Sequence, residues 1–185
     1  MTSQNTLLPD AETLYLTLRE QIRRAYFPTS EQEHTHAPHS KPLAIVGIYR
    51  GGAWLAQRLA EDLNIEASGF INAAFHRDDY AHKGLSASNQ TTTLPFDVNE
   101  REILLVDDVL YTGRTVRAAI NEIFDFGRPT RITLAVLVNR IEAGARQLPY
   151  CANFSASDLI FPATQTLVLQ QQHDGRLALT LEPTT

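Results

Sequence analysis

The run ILLVDDVLYTGRT (103–115) sets two adjacent acids, Asp107 and Asp108, directly after four apolar residues. A small hydroxylated turn made of Thr112, Gly113 and Thr115 follows and leads into a helical pattern. Adjacent carboxylates at the end of a buried strand repel each other and lose hydration, so they predict a cationic or hydroxyl-rich partner. The free backbone N–H groups of a turn at a helix N-terminus suit a phosphate monoester. Arg114 either adds a charge-assisted donor or points to solvent. Carboxylates for hydroxyls beside a nest for phosphate describe a site for ribose 5-phosphate. For a lone Asp-Asp pair a plain turn, its acids capping the next helix, would be the better account. The added TGRT, after an apolar strand and before an amphipathic helix, favours the ligand.

Two commoner phosphate loops do not occur. There is no GxxxxGK[ST], and YRGG (49–52) stands where GxGxxG would follow a first strand. A P-loop nucleotidase and a dinucleotide fold are thereby set aside.

The elements that must hold these residues follow from hydrophobic spacing. Asp10 caps a helix running to about residue 26, with Leu14, Leu18 and Ile22 on one face, and Pro28 ends it. Residues 28–42 are polar and proline-bearing and read as a mobile loop inside the domain. Its His34, His36 and His39 are solvated loop histidines rather than a metal site, because no acid or cysteine has ligand spacing nearby. LAIVGIY (43–49) has strand length; Gly51 and Gly52 break it, and Leu55, Leu59 and Leu63 mark a helix. Residues 69–75 form a second strand, and EILLVDD (102–108) is the clearest buried one. Val116, Ala119, Ile120 and Ile123 mark the next helix, which Gly127 ends in a left-handed cap with Pro129 beyond. RITLAVLV (131–138) is a strand; past it the pattern weakens, with short strands at 166–169 and 177–181.

Strand, glycine turn and helix in repetition predict parallel strands joined by helical crossovers, covered on both faces. In such sheets ligands sit at the carboxyl ends of the strands. Both unusual loops, YRGG and DDVLYTGRT, leave strands at that end and so share one rim. The expected architecture is one α/β domain over residues 1–185, with its core at about 43–150.

A formal net charge of −5 argues against general nucleic-acid binding through one dominant basic surface. Cys151 is the single cysteine, which excludes an intrachain disulfide and a thiolate metal cage. No stretch approaches a membrane-spanning apolar run, and MTSQNTLLPD lacks the basic start and apolar centre of a secretory signal. The expectation is a cytoplasmic enzyme or regulator.

VDDVLYTGRT resembles the motif with which type I phosphoribosyltransferases bind 5-phosphoribosyl-1-pyrophosphate (PRPP). The longer run ILLVDDVLYTGRTVRAAINEIFDFGRP, followed by LAVLV, is similar to one branch of that family, the pyrimidine-operon regulatory proteins with uracil phosphoribosyltransferase activity (the PyrR type). FHRDDY (75–80) resembles that branch's segment after its second core strand, and RQLPY (146–150) its later RELPI-like segment. The resemblance implies the type I fold, a parallel sheet with helices on both faces and a small hood. It implies transfer of the phosphoribosyl group of PRPP to uracil, giving UMP and pyrophosphate, with Mg2+ bound mainly through substrate oxygens and through Asp107 and Asp108.

The family's site residues carry over as follows. Asp107, Asp108, Val109, Leu110, Tyr111, Thr112, Gly113, Arg114 and Thr115 hold the ribose and 5-phosphate. Tyr49, Arg50, Gly51 and Gly52 form the pyrophosphate loop. His76, Arg77, Asp78 and Asp79 open a mobile loop in which Arg77 approaches the pyrophosphate. Tyr111 replaces an acid usual in purine-salvage relatives, which fits the pyrimidine branch and leaves no general base in the motif. The family's strand after the PRPP helix usually ends in an acid followed by Arg-Gly, whereas here it reads Val138, Asn139, Arg140, Ile141. That departure keeps two alternatives open: a regulator sensing PRPP or pyrimidine nucleotides (UMP, UTP) with little turnover, or a transferase for another base. Pyrimidine-operon mRNA is a further implied partner, through a basic face for which Arg19, Arg23, Arg24, Arg128, Arg131, Arg140 and Arg146 are candidates; scattered surface arginines are the plainer account. A homodimer or larger assembly is also implied.

Overall fold

A computed structural model describes residues 8–28, 42–73, 91–141 and 149–184. The first helix, α1 (Ala11–Tyr26), begins where the sequence predicts, with the Asp10 side chain accepting from the Thr13 N–H at 2.8 Å. Leu14, Leu18 and Ile22 are buried on one face, and the helix gives out at Phe27 before Pro28. The strand β1 (Leu43–Ile48) leads into α2 (Gly51–Asp62), which starts on the two glycines themselves. β2 (Ser68–Ile71) follows. Next come β3 (Glu102–Leu110), α3 (Arg114–Phe126), β4 (Arg131–Arg140) and β5 (Phe154–Leu159). The chain closes with the antiparallel hairpin β6 (Gln165–Gln171) and β7 (Leu177–Pro183), the expected small hood.

Five strands make one sheet in the order β2-β1-β3-β4-β5, every neighbouring pair parallel. Period-two alternation sends successive side chains of β3 to opposite faces. Leu104 and Val106 join the core beneath α1, α2 and the hairpin, whereas Ile103 and Leu105 join the core beneath α3. Burial on both faces explains why this strand reads as an unbroken apolar run.

Two expectations need correction, and one strand was not expected. The strand placed at 69–75 ends at Ile71, where Phe70 also pairs antiparallel with Thr93. Gly127 is extended, with φ 165° and ψ −163°, and no left-handed cap forms there. A Cβ at Gly127 would lie 3.0 Å from that of Val98 and 3.1 Å from Asn99 Oδ1, so close packing is the reason for glycine. β5 carries no periodic signal, because FSASDL is small, polar and only half-buried along a sheet edge. The loop expected at 28–42 falls almost wholly outside the described residues.

A half-buried polar joint ties the first helix to the rest. Glu12 forms a bidentate pair with Arg58 of α2, at 2.9 and 2.7 Å, and accepts the Leu177 N–H of β7 at 2.7 Å. The hydrogen bond from Arg58 holds the Glu12 carboxyl below its ordinary value. Beside it, Tyr15 donates to Asp62 at 2.8 Å under the Arg58 guanidinium, and burial first, then Asp62, pushes its hydroxyl well above the usual range.

Candidate active site

The end of β3 and the start of α3 build the site. Asp107 is buried at 3% exposure and Asp108 is half-buried. Asp108 packs against Gly51 at the start of α2, and both acids line a common cavity. Each Oδ1 accepts the N–H of the next residue, Asp107 from Asp108 and Asp108 from Val109, both at 3.0 Å. This local bonding is a structural use of the acids that the sequence reading lacked.

Gly113 has φ 89°, a left-handed conformation that glycine adopts without steric penalty, and it turns the chain into α3. Gly113 has no side chain to cap that helix, and its first N–H, that of Arg114, meets Thr112 Oγ1 at 3.4 Å within the turn. A cavity of about 370 Å³ opens there. It is lined by Asp107, Asp108, Val109, Leu110, Tyr111, Thr112, Gly113 and Thr115 on one side, and on the other by Arg140 and the hood residues Phe161, Ala163, Thr166, Leu167, Val168 and Thr184. Arg114 is exposed and outside the lining, which favours the solvent-facing alternative.

The YRGG loop reaches the same strand end from beneath. A Cβ on Gly52 would strike the Val106 carbonyl and lie 2.9 Å from the Asp107 Cα, and one on Gly51 would strike the Asp108 carboxylate. Both glycines are thus required by contact with β3, independently of any oxyanion. The Tyr49–Arg50 peptide is cis, the Tyr49 ring packs on Phe70 at 5.6 Å, and Arg50 is exposed. The loop's residues and the DDVLYTGRT turn share one rim, as expected from their strands.

His76, Arg77, Asp78 and Asp79 lie outside the described residues, as does Arg146. Among the described residues no three His, Cys, Asp or Glu side chains gather at a common point. Asn139 donates to Asp158 at 3.0 Å across the ends of β4 and β5. Arg140, considered above for a basic surface, is 5% exposed and lines the cavity. Sequence reasoning missed it and the hood residues; the one signal available was an arginine closing a buried strand. The remaining described candidates for a basic face have local partners: Arg19 with Asp62, Arg23 and Arg24 with Glu20, Arg131 with Glu102, and Arg128 with the carbonyls of Phe124 and Gly127.

A family model, the phosphoribosyl transferase domain, matches residues 26–158. The chain belongs to the phosphoribosyltransferase family. Within that family it is of the PyrR type. It is 49% identical over 188 residues to the bifunctional protein PyrR of Ralstonia nicotianae, covering 100% of this chain and 99% of that protein. A second bifunctional protein PyrR, from Nitrosococcus oceani, is 49% identical over 125 residues, covering 66% of this chain and 68% of the relative. The fold is also that of solved purine phosphoribosyltransferases. The hypoxanthine phosphoribosyltransferase of Staphylococcus aureus superposes with a TM-score of 0.58 at 16% identity, covering 84% of this chain and 78% of that one. That of Trypanosoma cruzi in complex with IMP gives 0.56 at 17% identity, covering 85% and 77%. No helix among the described residues is long and apolar enough to cross a membrane.

Proposed function

We propose that this phosphoribosyltransferase transfers the phosphoribosyl group of PRPP to uracil, giving UMP and pyrophosphate, and also regulates pyrimidine genes. The observation that carries the reading is a single cavity holding Asp107, Asp108 and the start of α3 together. The N–H groups of that turn and the Thr112 and Thr115 hydroxyls suit the 5-phosphate. Asp107 and Asp108 take the ribose hydroxyls and oppose the positive charge that develops at the anomeric carbon as its bond to pyrophosphate breaks. Tyr49, Arg50, Gly51 and Gly52 receive the leaving pyrophosphate, and Arg77 approaches it from the closing loop with His76, Asp78 and Asp79, excluding water. Tyr111 supplies no base, so positioning and electrostatics do the work.

Magnesium fits this donor set: Asp107 and Asp108 offer hard carboxylate oxygens at the cavity, and substrate oxygens complete the shell. Bound there, the ion neutralises the leaving group. UMP and UTP are the expected product and effector, the cytoplasm the expected compartment, and a homodimer or larger the expected assembly. Operon mRNA is the further partner. The local pairing of the described arginines, with Arg140 buried, leaves it a smaller basic surface than the sequence suggested.

A regulator with little turnover is the second reading. It is favoured by Asn139, which stands where the family's acid is usual and spends its amide on Asp158. One assay separates the readings. Purified protein with magnesium and PRPP is offered uracil, orotate, hypoxanthine, guanine or xanthine in turn. UMP is the expected product; no nucleotide from any base removes the enzyme reading, and nucleotide only from a purine removes uracil. Titration with leader transcript at two salt concentrations, with and without UMP, tests RNA binding. A salt-insensitive or absent signal removes that partner.

A further inference from the structure

Arg140 closes β4 and is almost wholly buried, at 5% exposure, in a chain whose other described arginines lie nearer the surface. Its guanidinium carbon lies 4.0 Å from the Tyr111 ring centroid and 4.2 Å from that of Phe161. Both distances are well within the range at which a cation is attracted by an aromatic face. Nη1 donates to the Gln165 carbonyl and Nη2 to the Pro162 carbonyl, each at 3.1 Å. These four partners belong to two separate parts of the chain. Tyr111 is the centre of the DDVLYTGRT turn. Phe161, Pro162 and Gln165 carry the chain from β5 into the hood.

We infer that Arg140 is a positioning residue that locks the hood to the phosphoribose turn, so that the two walls of the cavity hold one spacing. The inference rests on the proposed function for its kinetic meaning and adds a specificity determinant to it. The planar fork is needed. A lysine ammonium is a point charge that cannot present two flat faces to two rings while donating from two nitrogens to two carbonyls. The turn's phosphate cradle keeps its own anchors, the left-handed Gly113 and the first turn of α3. In the proposed reaction uracil sits against the Tyr111 and Phe161 walls of the cavity, so loss of Arg140 releases the base side more than the cradle itself.

The test uses the full chain carrying Arg140→Lys or Arg140→Met, with steady-state kinetics in uracil and PRPP and amide hydrogen exchange. In both variants KM for uracil rises by about tenfold, the scale of losing one charged hydrogen bond. KM for PRPP moves by less than about threefold, the size of a weak, indirect contact. Exchange quickens together in 109–116 and 161–167, with α1 and α2 unchanged. Equal rises in both KM values, recovery by lysine, or faster exchange in only one of the two segments overturns the inference. If both variants fail to fold, Phe161→Leu keeps the apolar bulk and removes one stacked face. Faster exchange at 109–116 then supports the tie, and unchanged exchange overturns it. Wild-type protein that forms no UMP overturns the uracil assignment, while the exchange measurement still decides whether Arg140 joins the two walls.

Discussion

The DDVLYTGRT turn and the hood meet across one cavity but are built in opposite ways. The turn is local: strand, acids, glycine and helix start lie within thirteen consecutive residues, 103–115, and its geometry is supported from beneath by Gly51 and Gly52. The hood is a two-stranded hairpin, which is marginal by itself. It is held by packing of Leu167, Leu169 and Leu177 on the core shared with α1 and α2, by Glu12 at the Leu177 N–H, and by Arg140 at its entrance. One wall of the site is written in a motif; the other is assembled from contacts far apart in sequence.

The contrast can be broken or sharpened experimentally. The largest effect is expected from Asp107→Asn with Asp108→Asn, which should lower kcat/KM for PRPP by about 100- to 1000-fold, the scale of lost transition-state electrostatics. A double mutant that keeps its PRPP affinity and rate would mean that the acids serve only their backbone hydrogen bonds. Next, Leu104→Ala in the doubly covered sheet should cost about 3 kcal/mol in urea unfolding, and Leu169→Ala in the hairpin less. Equal losses would show that the hood is as well packed as the sheet. Gly52→Ala should cost about 2 kcal/mol, because its methyl group meets the backbone of Val106 and Asp107, which yields little. An unchanged midpoint would show that the loop shifts freely.

The smallest effect concerns Glu12. Its carboxyl is held below its ordinary value of 4.5, first by the hydrogen bond from Arg58. The folded state therefore binds this proton more weakly than the unfolded state. The resulting stability is present above pH 4.5 and is lost as the pH falls through the lowered value. At pH 7 Glu12→Gln should be less stable than wild type by about 1 kcal/mol, and the gap should narrow in acid. A gap that is constant from pH 7 to acid would place the effect in packing rather than charge.

The legibility of the molecule divides along the same line. α1 was readable because Leu14, Leu18 and Ile22 repeat at helical spacing behind a capping Asp10, and β3 because both its faces are covered. The turn of Thr112, Gly113 and Thr115 into a helix followed from residue type and position. β5 was not readable: an edge strand of Ser and Ala shows neither alternation nor an apolar run. Arg140 was placed on a surface because nothing in VLVNRIE shows that Tyr111 and Phe161 close over it. Gly127 suited a left-handed cap by type, and its extended backbone reflects a neighbour, the turn at Val98 and Asn99, that local sequence does not reveal.

The joint at Glu12 also has a consequence for the order of synthesis. α1 leaves the ribosome before the strands do, but the surfaces that cover it belong largely to β4, β5 and β7, and the amide that Glu12 accepts is that of Leu177. Its apolar face is therefore fully covered only once β7 has emerged. That delay leaves α1 open to a chaperone during translation.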